Sequence, residues 1–136
     1  MSQIPEVTCS QVAKFCRDYR YEVYQFTLPS VEPSAKSDVI RFRTVSRGII
    51  VKLRVISDSD SLNMVLSSCE DMTDIRRQVL EMATDKKDFS YDFHNGDFMQ
   101  FFMLDDKLGE NYLYVQVENK GTVATGAICC TMILGD

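Results

Sequence analysis

The stretch "IIVKLRVIS", residues 49–57, alternates apolar and polar side chains along most of its length. A period of two is typical of a half-buried β-strand, because successive side chains of an extended chain point to opposite faces. The alternation sorts the side chains onto two faces, with Val51, Leu53 and Val55 on one and Lys52 and Arg54 on the other. We therefore expect one face of this strand to meet a core and the other to meet water or a partner.

The same period continues through much of the remaining chain. Further strands are predicted at "YRYEVYQFTL" (19–28), "VIRFRTV" (39–45), "LNMVLSS" (62–68), "ENYLYVQVEN" (110–119) and "TGAICCTMIL" (125–134). Turn-rich segments such as "PSVEPSAKSD" and "SDSDS" separate them. Short strands with frequent turns predict an all-β fold, an antiparallel β-sandwich of jelly-roll type with at most one or two short helices.

Two segments leave the choice between helix and strand open. In "EDMTDIRRQVLEMA" (70–83), Ile75, Val79 and Met82 have helical spacing, but the second half also alternates, and we favour a strand. In the N-terminal segment, Ser10 could cap one or two helical turns. We therefore expect residues 1–18 to form a short helix or an arm on another surface, and residues 19–136 to form a single domain.

The segment "DFHNGDFMQFF" (92–102) contains the only histidine of the chain, His94, close to two aspartates. A metal or catalytic site is one interpretation, and a turn is the other. We favour the turn, because Asn95-Gly96 fits the two central positions of a type I′ hairpin, which require positive φ. This register predicts that Tyr91 faces Gln100 and that Phe89 faces Phe102.

Two surfaces are candidate protein interfaces. On one face of the 92–103 hairpin, the residues Met99, Phe101 and Met103 form an apolar patch that we expect a partner chain or a second sheet to cover. In a closing hairpin joined by "KGTVA", Tyr112 and Tyr114 share the face opposite Leu113. These tyrosines predict either a contact surface or a face that another sheet or loop covers. The adjacent Cys129 and Cys130 should point to opposite faces of their strand.

Composition excludes several classes of function. The chain has 136 residues, five cysteines and a net charge of -5, with its charges scattered rather than in blocks. This pattern argues against nucleic-acid and membrane partners. Neither a membrane span nor a signal peptide is recognisable, and no zinc-type spacing of cysteines occurs, so we expect a cytoplasmic protein with reduced thiols.

The sequence contains no catalytic or phosphate-binding motif, so we predict no enzymatic activity. Paired carboxylates do occur at Asp58 and Asp60 in "SDSDS" and at Asp105 and Asp106. Carboxylate oxygens are calcium ligands, although the spacing of an EF-hand is absent. A calcium-dependent carbohydrate- or ligand-binding module is therefore the alternative prediction. Otherwise we expect no cofactor.

Residues 60–134 resemble the small accessory β-sandwich modules of the bacterial pre-peptidase C-terminal type. The likeness is carried by Gly109, Tyr112, Tyr114, Val115 and Val117, which stand in a "G-x-Y-Y-V-x-V"-like strand. The chain lacks the Asp-x-Asp-Leu-Tyr stretch of that family. The short, acidic, tryptophan-free composition is also similar to accessory structural proteins of tailed bacteriophage virions.

The resemblance to virion proteins implies a structural or interaction protein. Such a protein would serve as a capsid decoration, a head fibre, or a neck or tail fitting that is assembled in the host cytoplasm. We expect it to form a homo-oligomer within a larger assembly. The predicted interface residues are those of the two candidate surfaces described above.

Overall fold

The computed structural model describes residues 4–16, 20–44, 47–92, 100–103 and 112–135, with only the backbone described at 13–16, 20, 47 and 100–103. Its elements are β1 (Glu6–Val7), β2 (Ser10–Cys16), β3 (Arg20–Leu28), β4 (Ile40–Arg43), β5 (Arg47–Ile56), β6 (Leu62–Ser67), a 3₁₀ turn (Ile75–Arg77), β7 (Gln78–Ala83), β8 (Asp88–Asp92), β9 (Gln100–Met103), β10 (Tyr112–Asn119) and β11 (Ile128–Gly135). The predicted all-β class is confirmed.

The strands form two sheets that pack face to face as a sandwich. The first sheet has the order β1-β4-β10-β6-β7, and the second has the order β2-β3-β11-β5-β8, with β9 also paired to β5. All of these pairs are antiparallel except β1 with β4. The predicted antiparallel sandwich of jelly-roll type is therefore confirmed.

The core lies between the two sheets and is built from the inward half of each alternating strand. Phe26 of the second sheet stacks on Phe42 of the first, with ring centroids 4.2 Å apart. The same core contains fully buried apolar side chains, among them Leu53, Leu113 and Met132. Burying one such side chain contributes about 1.5–3 kcal/mol, so the strand alternation translates directly into stability.

The predicted closing hairpin is wrong. β10 pairs with β4 and β6 in the first sheet, whereas β11 pairs with β3 and β5 in the second. The connection, residues 120–127, crosses from one sheet to the other. A hairpin loop usually has two to five residues, and this longer connection can span the roughly 10 Å between stacked sheets.

The predicted 92–103 hairpin is also wrong in its pairing. Tyr91 lies opposite Leu53, and Gln100 lies opposite Ile50, because β8 and β9 both run antiparallel to β5. The two strands therefore follow each other along one edge of the second sheet and do not pair with each other. β5 is long enough to accept both strands along the same side. Asn95-Gly96 and His94 lie outside the described residues.

The predicted inward face of β5 is wrong at one position. Leu53 and Val55 are buried as expected, but Ile50 is buried in place of Val51, which is only half-buried. The register with β11 shifts between Ile133 and Leu134, a β-bulge that leaves Val51 without a partner there. A bulge inserts one extra residue and so reverses the alternation on one side of it.

Both segments with an open choice contribute strands. The strand favoured for residues 70–83 is present only at Gln78–Ala83, where β7 follows the 3₁₀ turn. The helical interpretation of the N-terminal segment is wrong, because β2 pairs with β3. β1 adds to β4, so residues 4–16 lie largely within the two sheets.

Candidate functional site

The outer face of the first sheet carries two arginines beside two tyrosines. Tyr112 lies opposite Arg43, and Tyr114 lies opposite Arg41, in the register between β10 and β4. The alternation of both strands directs Ile40, Phe42, Leu113 and Val115 into the core, so the four polar side chains are left on the outside. We call Arg41, Arg43, Tyr112 and Tyr114 the arginine–tyrosine face.

The two guanidinium groups converge on one ring. The Cζ atom of Arg41 lies 4.3 Å from the ring centroid of Tyr112, and that of Arg43 lies 5.0 Å from it. Arg43 Nη2 also donates a hydrogen bond of 2.8 Å to the hydroxyl of Tyr112. Tyr112 is therefore only 8% exposed, although it points away from the core. The ring of Tyr114 lies 6.5 Å from that of Tyr112, at an angle of 57°.

A carboxylate from the neighbouring strand β1 contacts one of the two arginines of this face. Arg41 Nε lies 3.3 Å from Glu6 Oε1, and β1 holds Glu6 there because it pairs with β4. The Glu6 carboxylate compensates the charge of Arg41, but the buried Arg41 Nε–H makes no hydrogen bond. Cations over an aromatic ring gain about 0.5–1 kcal/mol each at exposed sites. The chemistry that this arrangement offers is binding to an anionic or aromatic surface.

The structure places the predicted interface residues in different settings. Tyr112 is covered by arginines of its own sheet, and Tyr114 is half-buried beside it. The backbone of Phe101 lies opposite Ile49 in the β9–β5 register. The backbone of Met103 is likewise described in β9, but neither side chain is, and Met99 lies outside the described residues.

Of the four candidate calcium ligands, Asp58 and Asp60 are described. Both side chains are exposed in the turn after β5, where the backbone N–H of Asp58 donates to the Thr125 carbonyl. Asp105 and Asp106 lie outside the described residues. Among the residues that are described, no group of three histidine, cysteine, aspartate or glutamate side chains is placed to hold a metal ion.

Sequence reasoning found the tyrosines but missed the arginines that hold them. In "VIRFRTV", Arg41 and Arg43 alternate with Ile40 and Phe42, but the sequence analysis did not name the two arginines as candidate site residues. This alternation was enough to predict that both arginines share one face of their strand. Their contact with the tyrosines could not be predicted, because it depends on the pairing of β4 with β10, about 70 residues away.

None of the described helical residues forms a segment long and apolar enough to cross a membrane.

No protein-family model matches the sequence, and no curated protein matches it significantly. Solved structures with a similar arrangement include the CENP-C cupin domain of Drosophila melanogaster, with 7% identity over 91% of this chain and 73% of that chain and a TM-score of 0.37. The Cnp3 cupin domain of Schizosaccharomyces pombe has 10% identity, coverage of 94% and 64%, and a TM-score of 0.33. A cupin domain of Bordetella pertussis has 10% identity, coverage of 98% and 98%, and a TM-score of 0.34.

With TM-scores below 0.5 and identities of 10% or less, these structures assign neither a family nor a function to this chain. The three domains are cupin domains, whereas the sequence suggested the pre-peptidase type and bacteriophage proteins. The function of this chain must therefore be argued from its own residues.

Proposed function

We propose that this chain is a non-enzymatic interaction protein that associates with further copies of itself through the arginine–tyrosine face. The single observation that carries the proposal is the position of Tyr112, which two arginines hold on the outer face of a sheet. Tyrosine and arginine are enriched among the residues that contribute most to protein interfaces.

Preorganisation supports a binding role for this face. Ordering a flexible side chain at an interface costs about 0.5–1.5 kcal/mol, which weakens binding. Arg43 is already bonded to the hydroxyl of Tyr112, and Arg41 is held between the Tyr112 ring and Glu6. Part of that ordering cost is therefore met within the free protein.

Charge supports a second copy as the partner. The chain has a net charge of -5, so its surface as a whole repels anions and attracts cations. The arginine–tyrosine face contains two guanidinium groups, and the Glu6 carboxylate lies 3.3 Å from the Nε atom of one of them, Arg41. It is therefore complementary to acidic surfaces of another copy. We propose further that the protein is a virion accessory component. This part of the proposal rests only on the similarity of its composition to that of such proteins.

Light scattering across a concentration series tests this proposal. We expect the wild-type mass to exceed that of the monomer. The variant Tyr114→Ser should raise the concentration needed for assembly by about tenfold, which corresponds to a loss of about 1.4 kcal/mol of association free energy. Tyr91→Ser is the matched control, since Tyr91 is a 41% exposed tyrosine of the second sheet.

A wild-type monomer at every concentration would overturn self-association. Equal effects of the two variants would show that assembly, if present, uses another surface. Thermal melting of both variants distinguishes a loss of contact from a loss of fold.

A further inference from the structure

The outer face of the second sheet contains a shallow depression of about 300 Å³ at its β5–β8 edge. Its lining residues are all polar or charged: Lys52, Arg54, Lys86, Asp88 and Ser90. The lining contains three cations and one carboxylate, and the Asp92 carboxylate beside Lys52 brings the local formal charge to +1. In a chain of net charge -5, this is a local concentration of positive charge.

The sheet register explains why these groups converge. Arg54 on β5 lies directly opposite Ser90 on β8, and Lys52 lies opposite Asp92. The side chains at these positions point outward, because Leu53 and Val55 between and beside them point into the core. Lys86 belongs to the connection between β7 and β8 and completes the lining of the depression.

Arg54 is held in a fixed orientation. Its Nε donates to Asp88 Oδ1 at 2.8 Å, and its Nη2 donates to Asp88 Oδ2 at 2.6 Å. This two-point contact occupies one side of the planar guanidinium and leaves the Nη1 group without a hydrogen bond to Asp88. The Lys52 ammonium is held more loosely, at 3.8 Å from Asp92 Oδ1.

Two of the lining cations stabilise the negative charge of the Asp88 carboxylate. The hydrogen bond from Arg54 and the charges of Arg54 and Lys86 lower the pKa of the Asp88 carboxyl. The same positive groups would stabilise the charge of an external anion. Lysine, arginine and serine together supply the donors that bind phosphate oxygens.

We propose that this depression binds a phosphoryl group, as carried by inorganic phosphate, a small phosphate ester or a lipid headgroup. Its volume lies at the lower end of small-molecule sites, so it fits one phosphoryl group with a small substituent. The site is separate from the arginine–tyrosine face, which belongs to the other sheet.

The first test is a titration of the full chain with inorganic phosphate, followed by amide NMR shifts. Chloride at matched ionic strength serves as the reference for screening. We expect saturable shifts at Lys52, Arg54 and residues 86–90 with phosphate and none with chloride. Shifts that do not saturate, or that chloride reproduces, would overturn the proposal.

Charge-neutralising variants test the residues. Lys52→Gln and Lys86→Gln should each weaken phosphate binding by about fivefold, because a unit charge a few ångströms away has been removed. Lys120→Gln removes the same charge from an exposed position outside the depression and should leave binding unchanged. Equal weakening by all three variants would show a general charge effect and would overturn the site.

Vesicles containing phosphatidic acid distinguish the source of the phosphoryl group. Co-sedimentation that requires Lys52 and Lys86 would support the site with a lipid headgroup as its ligand. Saturable binding of phosphate without vesicle binding would support it with a soluble phosphate compound. The absence of both would contradict the proposal while leaving self-association untouched.

Discussion

Ser59 Oγ donates a hydrogen bond of 2.8 Å to Asn119 Oδ1, and neither side chain is exposed to solvent. The same Asn119 oxygen accepts from Gly121 N at 2.9 Å. Its amide nitrogen donates to the carbonyl groups of Val31 at 3.1 Å and Val123 at 2.8 Å. One buried side chain thus joins three loops at the end of the sandwich where the chain crosses between sheets.

Replacing Asn119 with aspartate should therefore destabilise the fold strongly. The new oxygen would face two carbonyl oxygens in a buried site, and we expect a loss of about 3 kcal/mol or more in the free energy of unfolding. Urea unfolding measures this loss. Asn63→Asp, at a half-buried position on the outer face of β6, is the matched control and should cost less than about 1 kcal/mol. Similar losses in the two variants would contradict the role of Asn119.

Neighbouring thiols in β11 should differ sharply in reactivity. Cys129 is exposed and Cys130 is 1% exposed, as the predicted alternation requires. Burial also raises the pKa of the Cys130 thiol, which leaves little reactive thiolate. A short pulse of iodoacetamide followed by fragment mass spectrometry should modify Cys129 and leave Cys130 unmodified until the protein unfolds. Comparable labelling of both in the native protein would contradict the burial of Cys130.

Stability should fall at alkaline pH. Burial raises the pKa of the Cys9 thiol from 9.0 to about 11. The unfolded chain then loses this proton first, so stability is retained below about pH 9 and declines as pH rises toward about 11. Urea unfolding across this range should show a shallower decline in Cys9→Ala than in wild type. Cys129→Ala, at an exposed position of β11, should leave the slope unchanged. An unaltered slope in Cys9→Ala would contradict the burial of Cys9.

Millimolar calcium should leave the melting temperature unchanged. Calcium takes about six to eight oxygen ligands, and the turn after β5 offers the exposed carboxylates of Asp58 and Asp60. Ser57 and Ser59 in that turn are buried and bonded within the protein. A ligand that binds only the native state must raise apparent stability. A clear rise with calcium, lost in Asp58→Asn, would restore the calcium-dependent module as the better account.

Strand positions were predictable from the sequence because alternation is a local property. Leu62, Met64 and Leu66 are buried as their spacing predicted, and so are Ile40 and Phe42. Pairing was less predictable, because it depends on competition between distant strands. The Asn95-Gly96 signal predicted a hairpin, but the length of β5 allowed β8 and β9 to bind along it instead.

The candidate site was predictable only in part for the same reason. Tyr112 and Tyr114 are visible as an outward pair in one strand, whereas their arginine partners come from β4. The buried hydrogen bonds of Asn119 gave no sequence signal, since asparagine at the end of a strand usually marks an exposed turn. The burial of Ser59 was not predictable either, because the aspartates on both sides of it in "SDSDS" indicate an exposed turn.

Hydroxyl-radical footprinting at a low and a high protein concentration tests the central claim most directly, because it locates the surface that assembly covers. We predict that oxidation of Tyr114 decreases at high concentration, while oxidation of Tyr91 on the second sheet stays constant. Equal oxidation of Tyr114 at both concentrations, under conditions in which light scattering shows assembly, would contradict the arginine–tyrosine face as the interface.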